Sequence, residues 1–222
     1  MSPSKQAHMP LVLLGAGGHA KVLFSLIKAA GRELLGVCDP ALAKAGASHW
    51  RDVPVLGGDE ALKTLDSSTV GLVNGIGQLV GSGLRQRVYE QACADGFTFP
   101  VLIHPAAWVD ESVELGQGVQ VMAGAIVQPD VRIGVNSVIN TRASLDHDCV
   151  IAAHVHIAPG AVLCGGVVVA QGAFIGSGAT LIQGVVIGAR SVVGAGTVVV
   201  REVPPDSIVK GLSVRPVPLT DS

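Results

Sequence analysis

The sequence predicts a small parallel α/β domain followed by a parallel β-helix. Three observations predict it: a six-residue repeat over residues 109–199, strand–helix alternation before it, and a glycine-rich turn at the head of that alternation.

Residues 10–15 (PLVLLG) read as a short buried strand entering Gly15-Ala-Gly-Gly-His-Ala20. Residues 20–30 carry apolar side chains at helical spacing, and Gly31 supplies the stop. Leu34 to Cys38 is a second strand, ending in Asp39-Pro40. Residues 53–57 are extended, and Asp59 is placed to cap a helix over 60–65. Residues 70–76 form a third strand with Gly77 at its end, and residues 84–94 a helix. Such alternation builds a small parallel sheet with right-handed crossovers. The periodicity changes at Ile103-His104-Pro105, which gives a division of 1–9 as a disordered start, 10–103 as a Rossmann-like domain, 104–205 as a β-helix and 206–222 as a tail.

From Val109, every sixth residue through Val199 is Val, Ile or Leu, sixteen in succession. The residue two earlier is small or short throughout, from Ala107 to Thr197. A helix repeats its apolar face every 3.6 residues and a plain strand every 2, so a fixed period of six means short strands separated by identical turns. Both marked positions face inward, because strand side chains alternate. Gly opens many of the turns, one residue after the aliphatic, as at Gly116, Gly134, Gly176, Gly188 and Gly194. Three steps close one triangular coil, so residues eighteen apart stack at about 4.8 Å.

A net charge of −2 argues against a nucleic-acid or anionic-membrane surface. Abundant glycine with few aromatics suits a solenoid filled by branched aliphatics. Cys38, Cys93, Cys149 and Cys164 show no metal-binding spacing, and Cys149 falls on an inward position as a core thiol. No secretory leader and no apolar run of about 18 residues is seen, so a cytoplasmic protein is expected.

Two places could carry chemistry. Gly15-x-Gly17-x-x-Ala20, with Asp39 nineteen residues on, fits the dinucleotide fingerprint. Only about 90 residues precede the repeat, enough for one mononucleotide-binding half. A nucleotide diphosphate on the helix N-terminus, NAD(P), and a purely structural turn all fit this stretch. The second place is the polar run Asn140-Thr-Arg-Ala-Ser-Leu-Asp146-His147-Asp148, followed by His154 and His156. A histidine beside carboxylates suits general-base work, while Asp in a turn needs no function at all. His147 and His156 are half a coil apart, so they lie on different sides of one chain, and a cleft between subunits is the expected site. The three histidines occupy different repeat positions and cannot converge on one zinc ion; His154 is expected to be solvated at a turn. Asn140, Ala158, Gly176 and Gly194, stacked at intervals of eighteen, form a strip where a thin ligand arm could lie.

These residues resemble the hexapeptide-repeat acyltransferases, and more narrowly the nucleotide-sugar N-acetyltransferases of the sialic-acid O-acetyltransferase-like and PglD-like group. The resemblance is carried by Gly15-Ala-Gly-Gly-His-Ala, Leu102-Ile-His-Pro, Ile139-Asn-Thr, Asp146-His147-Asp148-Cys149-Val-Ile, His156-Ile-Ala-Pro-Gly and Ala173-Phe-Ile-Gly. It implies a left-handed β-helix, a homotrimer, acetyl-CoA as co-substrate, no metal, and no membrane or nucleic-acid partner. It further implies acetylation of a nucleotide-linked 4-amino-4,6-dideoxysugar in bacterial surface-glycan synthesis. His147 would match the catalytic base, Asp148 the acid that enhances it, and His156 the contact to the acetyl group. Gly165, Ser177, Gly194 and Ala195 would hold CoA; Gly17, Gly18, His19, Asp39, Gly77 and Asn140 would hold the nucleotide sugar. The sequence departs from relatives at Asp148, where some carry Glu, at Pro40, where some carry a second acid, and at Gly211-Leu-Ser-Val in place of Gly-x-Pro-Ala. A sialic-acid-type O-acetyltransferase, a γ-carbonic-anhydrase-like zinc enzyme and a non-catalytic scaffold are the alternatives.

Overall fold

A computed structural model describes residues 9–78 and 80–211. Most of the expected N-terminal segment, and residues 212–222 of the closing segment, lie outside these; Met9 itself is buried. The N-terminal part runs β1 (Leu11–Leu14), α1 (Gly18–Ala29), β2 (Leu34–Cys38), α2 (Pro40–Lys44), β3 (His49–Trp50), β4 (Val53–Gly57), a 3₁₀ turn (Asp59–Thr64), β5 (Gly71–Asn74) and α3 (Leu84–Ala94). Its sheet has the order β3-β4-β2-β1-β5, parallel except for the β3–β4 hairpin. β1 is buried along its whole length, which is why it reads as an unbroken apolar run.

Three local expectations differ. Asp59 does not cap a helix: Gly58 is the cap residue, and Glu60 Oε1 accepts the Gly58 N–H at 3.0 Å. The short α2 and β3 lie in residues 40–50, where the sequence has too few periodic positions to show either. β5 is shorter than expected because Gly75 packs against β1, with an added Cβ meeting the Leu14 carbonyl at 2.7 Å.

The β-helix begins one step before the repeat was counted. Strand β6 (Leu102–Ile103) pairs with Gln120–Val121, since Ile103 continues the six-residue series backward. At the other end, Ile208–Val209 pairs with Val192–Val193, so the segment assigned to a tail contains the last strand. Between them two-residue parallel strands form three ladders, with partners eighteen residues apart, as in Ile139↔Ile157 and Leu145↔Leu163. The aliphatic and small inward positions fill one continuous core from Val119 to Val203.

The turn chemistry also differs from the expectation. From Gly118 to Gly196 the residue three after each aliphatic has φ between 56° and 73°, and six of these fourteen residues are not glycine: Asp130, Asn136, Arg142, Asp148, His154 and Arg190. Positive φ is thus required at that position. Glycine one residue after the aliphatic answers a different demand. At Gly134 an added Cβ would meet the next coil's Ala153 nitrogen at 2.5 Å, so close stacking selects it.

The α/β domain sits on one face of the prism. Leu102, Met122 and Val138 from that face share a core with Leu11, Leu13, Leu23 and Leu26. The outward column of this face, Gln120, Val138, His156, Phe174 and Val192, therefore faces or adjoins the α/β domain.

Candidate active site

His147 lies in the corner between strands Ser144–Leu145 and Val150–Ile151. Asp148 holds the left-handed position of this turn, at φ 60°. That conformation carries its carboxylate to the His147 ring, with Oδ2 2.7 Å from Nδ1. A carboxylate only accepts, so Nδ1 carries the proton and Nε2 presents a lone pair to solvent. Asp146 Oδ1 accepts the His147 backbone N–H at 2.8 Å and fixes the turn from the other side. The hydrogen bond from Nδ1–H to Asp148, then the charge of Asp146, raise the imidazole above its ordinary pKa. Gly165, eighteen residues on, forms the floor: a Cβ there would lie 2.6 Å from His147 Cε1 and 2.7 Å from Nε2.

His156 occupies a different face. It is 7% exposed and stacks on Phe174, with centroids 5.0 Å apart and planes at 11°. Asn140 Oδ1 accepts the Thr141 N–H at 2.8 Å, which turns the Asn140 amide nitrogen toward His156 Nε2 at 3.4 Å. Nε2 therefore accepts and Nδ1 carries the hydrogen, a buried donor without a partner. Burial first, then His19 and Arg85, push the His156 pKa down to about 3, so the ring is neutral at working pH.

The α/β domain supplies the opposite wall. His19 Nε2 lies 2.8 Å from Gln120 Oε1, and Gln120 Nε2 donates to the Asn74 carbonyl at 3.0 Å. His19 is held neutral, its pKa lowered to about 4 by burial and by Arg85. Arg85, 3% exposed, donates to the carbonyls of Asn74, Ile76 and Asn136 and pins the loop after β5 to the prism. Its pKa falls to about 9 through burial, which leaves it a cation at neutral pH.

The expected nucleotide-sugar residues divide. Gly17 and Gly18 open α1 with nothing within 4 Å of an added Cβ and no side-chain cap, so the helix N-terminus is free for an anion. Gly77 backs His19, its added Cβ 3.6 Å from the His19 Cβ. Asp39 is engaged by the backbone: Oδ1 accepts from Ala41 and Leu42, and Oδ2 from Ala16 alone, each at 2.9 Å, which leaves Oδ2 one acceptor site. It ties the Gly15 turn to the start of α2. His154 is a correction: it is 7% exposed rather than solvated, bonded to Asn136 at 3.0 Å and edge-on to Tyr89, because α3 covers its corner.

The residues expected to hold CoA also divide. Gly165 lies under His147, whereas Ser177, Gly194 and Ala195 lie on the edge that carries Asn140, one corner away. Gln120, Asn74, Arg85 and Asn136 were not anticipated. Gln120 alone left a trace, as a polar residue in the outward column between Leu102 and Val138. Among the described residues, no three His, Cys, Asp or Glu side chains gather to hold a metal ion, and no helix is long and apolar enough to cross a membrane.

Residues 10–92 match the PglD N-terminal domain family. A variant of perosamine N-acetyltransferase from Caulobacter crescentus, in complex with CoA and GDP-perosamine, is 40% identical, with 91% of this chain and 93% of that one covered and a TM-score of 0.83. The acetyltransferase domain of PglB from Neisseria gonorrhoeae FA1090, in complex with acetyl coenzyme A, is 34% identical over 95% of this chain and 100% of that one, with a TM-score of 0.85. WeeI from Acinetobacter baumannii AYE shares the fold at 23% identity and a TM-score of 0.81. With a Rossmann-like domain set on a left-handed β-helix, the chain belongs to the hexapeptide-repeat sugar N-acetyltransferases.

Proposed function

We propose that the protein transfers the acetyl group of acetyl-CoA to the amine of a GDP-linked 4-amino-4,6-dideoxysugar in cytoplasmic synthesis of a bacterial surface glycan. The observation that carries this is the His147–Asp148 pair, an imidazole with Nδ1 held at 2.7 Å and Nε2 free, in a chain 40% identical to an enzyme crystallised with CoA and GDP-perosamine. The neutral amine attacks the thioester carbonyl, and a C–N bond forms as the C–S bond breaks. Nε2 of His147 takes the amine proton and returns it to the departing CoA thiolate. The unpartnered Nδ1–H of His156 supplies a donor for the oxygen that becomes negative in the tetrahedral intermediate.

The division of the site supports assembly as a homotrimer. The base corner and the His156 face belong to different sides of one prism, and the expected CoA residues are split in the same way. Packing prisms side by side brings the His147 corner of one copy against the His156 face of the next. The outward face that includes Trp108, Ile126, Val162 and Val198 is exposed and apolar, as a surface covered by another copy would be.

The test is thiol release from acetyl-CoA with GDP-, UDP- and dTDP-linked 4-amino-4,6-dideoxysugars, with free sialic acid as the hydroxyl acceptor. Turnover with a GDP-linked amino sugar is expected; turnover with the hydroxyl acceptor alone would replace this function with O-acetylation.

A further inference from the structure

A cavity of about 230 Å³ opens at the carboxyl ends of β1 and β2, beside the Gly15 turn. Open parallel sheets take ligands in that crevice. Its walls are apolar, with Pro40, Leu62, Ile76, Leu84 and Val88 lining it, and two carboxylates, Asp39 and Asp59, reach it. Asp39 is occupied by three backbone N–H groups. Glu60, next to Asp59, is folded back onto the Gly58 N–H. Asp59 is exposed at the rim and makes no hydrogen bond or ion pair with another described residue. Its charge reaches the cavity: behind burial, it is the next cause raising the Cys38 thiol to about 11.

We propose that this cavity holds the nucleobase of the acceptor and that Asp59 selects guanine. The proposal rests on the nucleotide-sugar function above and adds the residue that chooses the base. Guanine presents two adjacent donors, N1–H and the 2-amino group, which match the two oxygens of one carboxylate. Uracil and thymine present one N–H between two carbonyl oxygens, so a carboxylate meets two like dipoles. Adenine offers one donor beside a ring-nitrogen acceptor. A single carboxylate in an apolar slot thus favours guanine by attraction and disfavours the pyrimidines by repulsion.

The experiment titrates the full-length protein with GDP, inosine diphosphate, UDP and dTDP, for wild type and Asp59→Ala. Inosine diphosphate keeps N1–H and lacks the 2-amino group, so it removes one of the two hydrogen bonds. Wild type is expected to bind GDP about tenfold more tightly than inosine diphosphate and about a hundredfold more tightly than UDP or dTDP. In Asp59→Ala the gap between GDP and inosine diphosphate falls below about twofold, while thermal melting without ligand is unchanged because the side chain is exposed. Equal binding of GDP and inosine diphosphate by wild type, preference for a pyrimidine, no binding of any diphosphate, or an unchanged gap in Asp59→Ala would overturn the assignment. A gap that closes in Asp59→Ala without acetylation of any GDP-linked amino sugar leaves Asp59 as the selector and removes the acetyl-transfer function. Acetylation of such a sugar with the gap unchanged does the reverse.

Discussion

Gly165→Ala tests whether the observed position of His147 is the working one. Gly165 has an ordinary backbone conformation, so alanine brings no strain of its own. Its Cβ, however, would stand 2.6 Å from His147 Cε1 and 2.7 Å from Nε2. Ordinary carbon contacts begin near 3.5 Å, so the ring must retreat by roughly 1 Å. It can do so because the His147 side chain is 54% exposed, and the retreat draws Nδ1 away from Asp148. The core beneath is untouched, so melting should shift by no more than about 2 °C. A misplacement of about 1 Å typically costs about a hundredfold in rate, the lower end of the 10²–10⁴ span for losing a base outright. The assay is steady-state thiol release with saturating acetyl-CoA and acceptor, alongside a melting curve. A kcat within about threefold of wild type, in a protein that melts normally, would refute the placement.

Other consequences can be checked in the same preparations. Asp148→Asn suits the left-handed turn but removes the carboxylate whose hydrogen bond, and to a lesser extent charge, raises the His147 pKa. The base must be neutral to act, so activity rises with pH through that pKa, and the variant's acid limb should move to lower pH while its plateau falls; an unmoved limb in the kcat profile contradicts the pairing. His19 and His156, lowered to about 4 and about 3, titrate too low to form that limb. Mixed oligomers refolded from His147→Ala and His156→Ala chains should regain activity lost in each, because one copy supplies each residue; no recovery argues that both act from one chain. Arg85→Ala strips three carbonyls of their donor and leaves a cavity, so urea unfolding should show a loss of about 3 kcal/mol or more, and a change under 1 kcal/mol would contradict the latch.

How much of this was legible follows from where each signal resides. The β-helix was legible because every sixth residue meets the same inward environment, and Leu145 differs from Val127 only in which coil it fills. Its ends were not, because Ile103 lies one step outside the unbroken run and Val209 follows a coil two residues short, its partner Val193 standing sixteen residues back. His147 and Asp148 were legible because adjacent residues in one turn make the contact. The network of Asn74, Arg85, Asn136 and Gln120 draws on four distant segments, and no local pattern records such a meeting. Asp39 shows the limit of a motif. Its spacing fits a ribose ligand, and the spacing does not show that Pro40 begins a short helix whose N–H groups occupy Oδ1. His154 was misread for a related reason, since its turn position is exposed on a bare prism and becomes buried once α3 docks over it.

The most direct test of the whole account is thiol release from acetyl-CoA with GDP-perosamine by wild type and His147→Ala, with CoA affinity measured in parallel. The account predicts turnover by wild type, a loss of about a hundredfold or more in kcat for the variant, and unchanged CoA binding. Near-wild-type turnover by His147→Ala, with CoA still bound, would contradict the assignment of the base and with it the proposed chemistry.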